Sequence, residues 1–324
     1  MSAETLTDRV ARDLSLAPTA VTAVASLLDE GATVPFIARY RKERTGSLDE
    51  VQITAVRDRL AEIAALEARR QAILKSLAER ELLDDQLAAA VRGAETLTAL
   101  EDVYLPYRPR RRTRATMARE RGLEPLADLL QAQDAGTDPE AAAAAFVDPG
   151  REVPDVAAAL AGARDVIAER VSEDADARAE LRDLLRTRGV MRSRVRKGQE
   201  QAGQKFRDWF DFAEPVRSTV SHRVLALRRG EAEDVLTVRI QLDEEQALGR
   251  LARRFVHGRG AAADQVATAV ADGWKRLLSV SLETELRLEL KAAADTEAIR
   301  VFAENLRELL LAPPLGEKPV LALD

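Results

Sequence analysis

Arginines close to prolines form the segment of this sequence best suited to binding chemistry. Seven arginines and one glutamate stand between Tyr104 and Gly122, and five of the arginines fall within seven positions. Those five are Arg108, Arg110, Arg111, Arg112 and Arg114. Guanidinium groups bind phosphate oxygens through paired N–H donors, and the prolines restrict the backbone, so less conformational freedom is lost on binding. We predict phosphate contacts here, with Tyr104 and Tyr107 stacking on bases. The alternative is a loop whose arginines form ion pairs within the protein.

Two further groups of cations have the same ambiguity. The stretch from Gly189 to Gly203 is poor in apolar anchors. We interpret it as a mobile basic loop that makes non-specific phosphate contacts. Its cations are Arg192, Arg194, Arg196 and Lys197. The second group follows Thr33 and comprises Arg39, Arg41, Lys42 and Arg44, with Arg39 and Lys42 as the main candidates for phosphate contact. In both places a solvated charged surface is the alternative, and the second group lacks the Asn, Gln or Ser that base-reading helices usually carry.

Catalytic and metal-binding patterns are absent from the sequence. It has no cysteine, and its two histidines, His222 and His257, stand in different segments. There is no phosphate-binding Gly-Lys-Ser/Thr loop, no nucleophile elbow and no carboxylate group with metal spacing. We predict a protein that is not an enzyme and that has no catalytic residue, metal or cofactor.

Overall charge argues against a protein that coats nucleic acid indiscriminately. The 324 residues carry a net charge of −6, and 46% of them are hydrophobic. The cations are nevertheless concentrated in a few segments, so local charge is the better guide. No apolar run approaches the ~20 residues of a membrane span, and the N-terminus lacks the basic and apolar regions of a signal peptide. We expect a cytoplasmic protein without a membrane partner.

Most of the sequence around these cations has the spacing of apolar residues that is typical of helices. Val21, Val24 and Leu27 recur at helical spacing up to Gly31, and Thr33 with Pro35 opens a second helix. This predicts a helix-turn-helix-like unit near the N-terminus, with Phe36, Ile37 and Tyr40 packing the second helix onto the core. The fold class predicted is mainly α and multi-helical, with about two thirds of the residues in helices.

Long helices and one strand complete this expectation. A capping box at Ser47–Glu50 opens a helix that runs to about Arg80 and forms an intramolecular hairpin rather than a long coiled coil. A closing amphipathic helix covers Leu282–Leu311. Residues Leu236–Leu242 alternate like a half-buried strand, whose partner the sequence does not identify. We predict a first helical region at 1–103, a second at 104–318, and the start of a further strand at 319–324.

Several segments resemble one known family. "LLDEGATVPFIARYRKERTGSLDEVQ", "YLPYRPRRRTRATMARERG", "KFRDWFDFAEPV", "SHRVLALRRGE" and "AENLRELLLAPP" are similar, in order, to segments of the Tex family of bacterial transcription accessory proteins. One departure is Val220, where the family pattern has proline. In the family an RNase H-like domain, helix-hairpin-helix elements and a C-terminal OB-fold RNA-binding domain follow, so the resemblance implies a chain cut at the first strand of the next domain.

The resemblance and the arginines together favour one function and leave a second open. The first is a non-enzymatic scaffold that binds RNA or DNA weakly and without sequence preference. The second is a protein-interaction platform that docks RNA polymerase or another large assembly, with nucleic-acid binding located in the later domains.

Overall fold

Helices make up most of the computed structural model, which describes residues 5–108, 112–313, 316, 319 and 321. These residues contain sixteen α-helices and one three-stranded sheet, which confirms the prediction of a mainly α protein. The chain divides into two compact units, Met1–Pro109 and Arg110–Asp324. None of the described helices is long and apolar enough to cross a membrane. Of the strand predicted at 319–324, residues 320 and 322–324 lie outside the described residues.

Among its described residues, the first unit has seven α-helices packed around two apolar clusters. The helices are α1 (Leu6–Leu14), α2 (Pro18–Asp29), α3 (Val34–Tyr40), α4 (Lys42–Thr45), α5 (Glu50–Glu79), α6 (Asp85–Gly93) and α7 (Leu97–Tyr104). The first half of α5 packs with α1, α2 and α3, and its second half packs with α6 and α7. Helix α5 therefore finds its apolar partners within the same unit. Its capping box is formed by Asp49 and Gln52, two residues later than predicted.

Helix α3 packs through a different face from the one predicted. Its buried residues are Val34, Ile37 and Ala38, whereas Phe36 is 39% exposed and Tyr40 62% exposed. At 100° per residue, positions 34, 37 and 38 share one side of a helix and position 36 falls on the opposite side. The prediction that the two aromatic rings dock the helix is wrong, because the small Ala38 completes the buried face.

The second unit surrounds a single large apolar cluster with nine helices among its described residues. They are α8 (Arg114–Glu120), α9 (Glu124–Ala132), α10 (Pro139–Ala144), α11 (Val156–Glu173), α12 (Ala175–Arg188), α13 (Ser221–Ala232), α14 (Glu244–Phe255), α15 (Ala261–Gly273) and α16 (Ser279–Leu311). A π-helical turn at Trp274–Leu278 joins the last two. The predicted closing helix is confirmed, and only its first half carries buried residues.

A small antiparallel sheet lies against this cluster. Its strands are β1 (Val190–Val195), β2 (Asp211–Pro215) and β3 (Leu236–Gln241), in the order β2-β1-β3. The predicted strand β3 is confirmed, and its partner is β1. The interpretation of Gly189–Gly203 as a basic loop is therefore wrong in its first half. Only Met191 supplies a large apolar anchor to the inner face of β1, so the alternation was too weak to recognise in the sequence.

Candidate nucleic-acid interface

The outer face of the sheet carries exposed cations at alternate positions of the central strand. Met191 and Ser193 point to the core and are buried, while Arg192 and Arg194 alternate with them and are exposed. The Ser193 hydroxyl donates to the carbonyl oxygen of Trp209 at 2.5 Å, which satisfies this inward polar group. Because β1 is the central strand, hydrogen-bonded on both sides, the two arginines project from a fixed backbone.

Charge on this face is only partly balanced. Arg192 stands directly opposite Arg239 of β3 and opposite the small Ala213 of β2. Like charges in directly opposite positions of a sheet repel each other. Arg239 approaches Glu283 at 3.6 Å. Within the described part of the chain, Arg192 forms no ion pair.

Arg194 has one acidic neighbour on the sheet. Asp211 of β2 is its register partner, yet the described residues show no ion pair between the two side chains. The outer face therefore presents three arginines against one aspartate, with Glu283 at its side. This arrangement favours an anion above the central strand.

The two remaining cations of the predicted loop differ from each other. Arg196 donates to the carbonyl oxygen of Leu236 at 3.2 Å and to Asp234 at 2.7 Å. These bonds hold its side chain against the start of β3. Lys197 is exposed and forms no ion pair among the described residues.

Two arginines at the other end of the sheet escaped the sequence analysis. The N–H of Val216 donates to the carbonyl oxygen of Gly189 at 2.9 Å, which extends the pairing of β1 and β2 by one step. Arg188, the last residue of α12, and Arg217, in a 3-10 turn after β2, lie next to this bond, and both are exposed. They are 29 positions apart in sequence, and only the pairing of β1 with β2 reveals their proximity.

The structure describes part of the arginine segment at 108–114, for which we predict phosphate contact. Arg110 and Arg111 lie outside the described residues. Arg112 contacts Glu120 at 2.6 Å, which is the internal pairing of the alternative interpretation. Both side chains are at least half exposed, so this pair contributes little to stability. Arg108 and Arg114 are exposed.

The two tyrosines beside this segment differ in burial. Tyr104 is 6% exposed, and its hydroxyl lies 3.2 Å from the hydroxyl of Ser76. The ring packs in the apolar cluster of α5, α6 and α7, so it offers no surface for a base, and its predicted stacking role is corrected. Tyr107 is half-buried against the same cluster.

Exposed aromatic rings instead accompany the cations of helix α3. The ring centroids of Phe36 and Tyr40 are 5.4 Å apart, and the guanidinium of Arg41 lies 5.0 Å from the Phe36 centroid. Arg39 and Lys42 are exposed and form no ion pair in the described part of the chain. Because both rings were expected in the core, this combination of aromatic and cationic side chains was not predicted.

Elsewhere many arginines are used for internal pairing. In the second unit, Arg178 and Arg182 of α12 both contact Glu285 of α16, and Arg276 contacts Asp165 at 2.8 Å. Burial raises the pKa of Asp165, and the Arg276 charge opposes that rise. Among the described residues no group of three or more His, Asp or Glu side chains is arranged to hold a metal ion.

Comparison with known proteins identifies the family. Residues 134–302 match the family described as Tex central region-like, and residues 4–78 match the Tex-like protein N-terminal domain. The chain belongs to the Tex family. It is 43% identical over 330 residues to the transcriptional accessory protein Tex of Neisseria gonorrhoeae and 44% identical over 330 residues to protein tex of Bordetella pertussis. Each match covers 98% of this chain and 42% of the relative.

A more distant relative carries a different name. The human S1 RNA-binding domain-containing protein 1 is 26% identical over 313 residues, which is 92% of this Tex chain and 31% of that protein. This chain thus spans less than half the length of the Tex relatives that it matches.

Proposed function

We propose that this Tex chain is a non-enzymatic scaffold that holds nucleic acid weakly and without sequence preference. The observation that carries the proposal is the outer face of the sheet, where Arg192 and Arg194 stand exposed without an ion pair among the described residues. Two positions along a strand span about 6.6 Å, so the two side chains reach separate phosphates. Backbone contacts of this kind position a nucleic acid without reading its sequence.

The neighbouring cations extend the proposed surface. Arg188 and Arg217 mark one end of the sheet, and Lys197 marks the other. On the first unit, Arg39 and Lys42 with the rings of Phe36 and Tyr40 form a second contact that suits single strands, because aromatic faces stack on any base. Arg108, Arg112 and Arg114 remain a third predicted contact, for which the Arg112–Glu120 pair would have to open.

The test compares two charge-matched double variants by fluorescence anisotropy with labelled single-stranded RNA and DNA. Arg192→Gln/Arg194→Gln should weaken binding at low salt about tenfold or more, because two phosphate contacts are lost. Arg253→Gln/Arg259→Gln removes the same charge from exposed positions elsewhere in the second unit and should change binding less than twofold. Equal weakening by both pairs would show that overall charge, not the sheet, attracts the nucleic acid.

A second candidate function is a protein-interaction platform. It is favoured by the last part of α16, where Ile299, Phe302, Leu306 and Leu309 are between 43% and 72% exposed. Their spacing places them on one side of the helix, and exposed apolar patches often mark protein interfaces. The variant Phe302→Ser/Leu309→Ser should then lose capture of purified RNA polymerase while nucleic-acid binding is unchanged. Persistent capture of RNA polymerase by this variant would show that the exposed apolar residues of α16 do not form the docking surface.

A further inference from the structure

The two free edges of the sheet differ in whether their backbone groups are satisfied. On β3, the N–H of Ile240 faces away from β1 and donates to Glu283 at 3.1 Å. On the same edge, the carbonyl oxygen of Val238 accepts from Arg287 at 3.0 Å. Glu283 and Arg287 both lie on α16. Their side chains therefore close the edge of β3 to a further strand.

The edge of β2, by contrast, is open in its first half. The N–H of Val195 donates to the carbonyl oxygen of Phe210 at 3.0 Å, which fixes which pairs bond between β1 and β2. Because bonded pairs alternate in an antiparallel ladder, the backbone groups of Phe212 face β1, and those of Asp211 and Ala213 face away. Both of these residues are exposed, and the described part of the chain offers their outward groups no hydrogen-bond partner.

Pro215 limits how far another strand can pair along this edge. It has no N–H, and its carbonyl oxygen already accepts from the Ser218 hydroxyl at 2.9 Å and the Thr219 hydroxyl at 3.1 Å. The open stretch is therefore Asp211–Ala213. Such a short stretch supplies few backbone hydrogen bonds, so a partner strand must also match it through side chains.

We propose that a second copy of this Tex chain pairs at this edge, β2 against β2, in antiparallel register about Phe212. In this register Asp211 of one copy stands directly opposite Ala213 of the other. Both positions carry outward backbone groups, so each such pair exchanges N–H···O hydrogen bonds in both directions. The contact is symmetric and closed, because the same strand serves both copies. The two small sheets become one continuous sheet, and the inference does not depend on nucleic-acid binding.

Charges on the outer face are complementary in this register. Arg192 forms no ion pair among the described residues, and the side chain beside it on β2 is the small Ala213. Beyond Ala213 stands Asp211 of the second copy, two strand spacings or about 10 Å from the Arg192 backbone. An extended arginine side chain reaches over the alanine towards this carboxylate. Asp211 then lies between Arg194 of its own copy and Arg192 of the other.

The inner face adds an apolar contact at the symmetry axis. Phe212 of one copy stands opposite Phe212 of the other in a non-bonded pair, where side chains approach most closely. The ring is half-buried, and it packs edge-on against Trp209 with centroids 4.9 Å apart. Dimerisation covers the exposed part of both aromatic pairs, an apolar gain that a single copy lacks.

Sedimentation velocity of the full chain from about 5 to about 500 µM tests the proposal. We expect reversible dimers. The variant Ala213→Pro should weaken association about tenfold or more, because it removes an outward N–H and places a ring where the second strand pairs. The control Ala213→Ser keeps the N–H and should change association less than about threefold. A protein that stays monomeric up to about 500 µM, or dimers that persist unchanged in Ala213→Pro, would overturn the proposal.

Cysteine variants test the register without altering the backbone. The chain has no cysteine, so the introduced thiols are the only ones. Asp211→Cys in one copy and Ala213→Cys in the other stand directly opposite each other, within disulfide reach. In a buffer of oxidised and reduced glutathione, a mixture of the two variants should form mainly the mixed disulfide dimer, while each variant alone stays mostly unlinked. Mixed and like dimers in random proportions would contradict the register and with it the proposal.

Discussion

The contact of Glu285 with Arg178 and Arg182 joins α16 to α12 in the second unit, and its contribution to stability can be tested by mutation. Glu285 lies on α16, and both arginines lie on α12, the helix that leads into β1. The arginine side chains are 4% and 10% exposed, and the Glu285 side chain is 37% exposed. The change Glu285→Gln removes the negative charge while keeping the size of the side chain.

The expected loss follows from burial. Removing one partner of a buried ion pair costs about 3–5 kcal/mol, because the remaining charge is left in a poor solvent. Since Glu285 is partly solvated, and Arg178 also donates to the hydroxyl of Ser281, we expect a smaller loss of about 2–3 kcal/mol. The exposed pair of Arg186 and Glu289 is the matched control, and Glu289→Gln should cost less than about 1 kcal/mol.

Urea unfolding followed by tryptophan fluorescence measures the stability difference between these two variants in the second unit. Both tryptophans of the chain, Trp209 and Trp274, lie in the second unit, so their fluorescence reports its unfolding alone. The midpoint should fall clearly for Glu285→Gln and little for Glu289→Gln, with an unchanged slope. Equal stability of the two variants would refute the reasoning, because it would mean that burial of the two arginines is not what makes the contact important.

Three further predictions concern particular side chains of the two units. Replacing Phe36 and Tyr40 by alanine should weaken single-stranded RNA binding severalfold without lowering the melting temperature, because both rings are exposed; a clear thermal shift would contradict their placement. The pKa of Asp13 is lowered in the folded protein, so this group stabilises the fold above its unfolded pKa and the contribution is lost as pH falls through the folded value. In Arg59→Gln its NMR titration midpoint should move up towards the ordinary aspartate value, and an unmoved midpoint would exclude Arg59 as the cause. The change Ser193→Ala should cost about 1–2 kcal/mol in tryptophan-monitored unfolding, because the partly buried carbonyl of Trp209 loses its donor, and no change would argue against that hydrogen bond.

Regular patterns allowed most helices to be predicted from the sequence. Helix α5 was predicted from its long apolar periodicity and from a capping box, and α16 was predicted from sustained periodicity. Strand β3 was recognisable because Leu236, Val238 and Ile240 alternate with polar residues. Strand β1 has the same alternation, but its inward positions include a serine, whose hydroxyl is satisfied only by a tertiary contact.

The candidate sites depended on information that local patterns do not carry. Arg192 and Arg194 were recognised as cations, but their fixed position follows from pairing with β2 and β3. The burial of Tyr104 and the exposure of Phe36 reverse the predicted roles of the two rings, because tertiary packing decides which side of a short helix is covered.

The salt dependence of nucleic-acid binding tests the central claim most directly. Each phosphate neutralised on a single strand adds about 0.7 to the slope of log affinity against log salt concentration. If Arg192 and Arg194 contact phosphates, Arg192→Gln/Arg194→Gln should lower that slope by about 1.4 relative to the unaltered chain, while the helical circular-dichroism spectrum stays the same. An unchanged slope in a folded variant would contradict the account, because it would show that the arginines on the outer face of the sheet do not touch the nucleic acid.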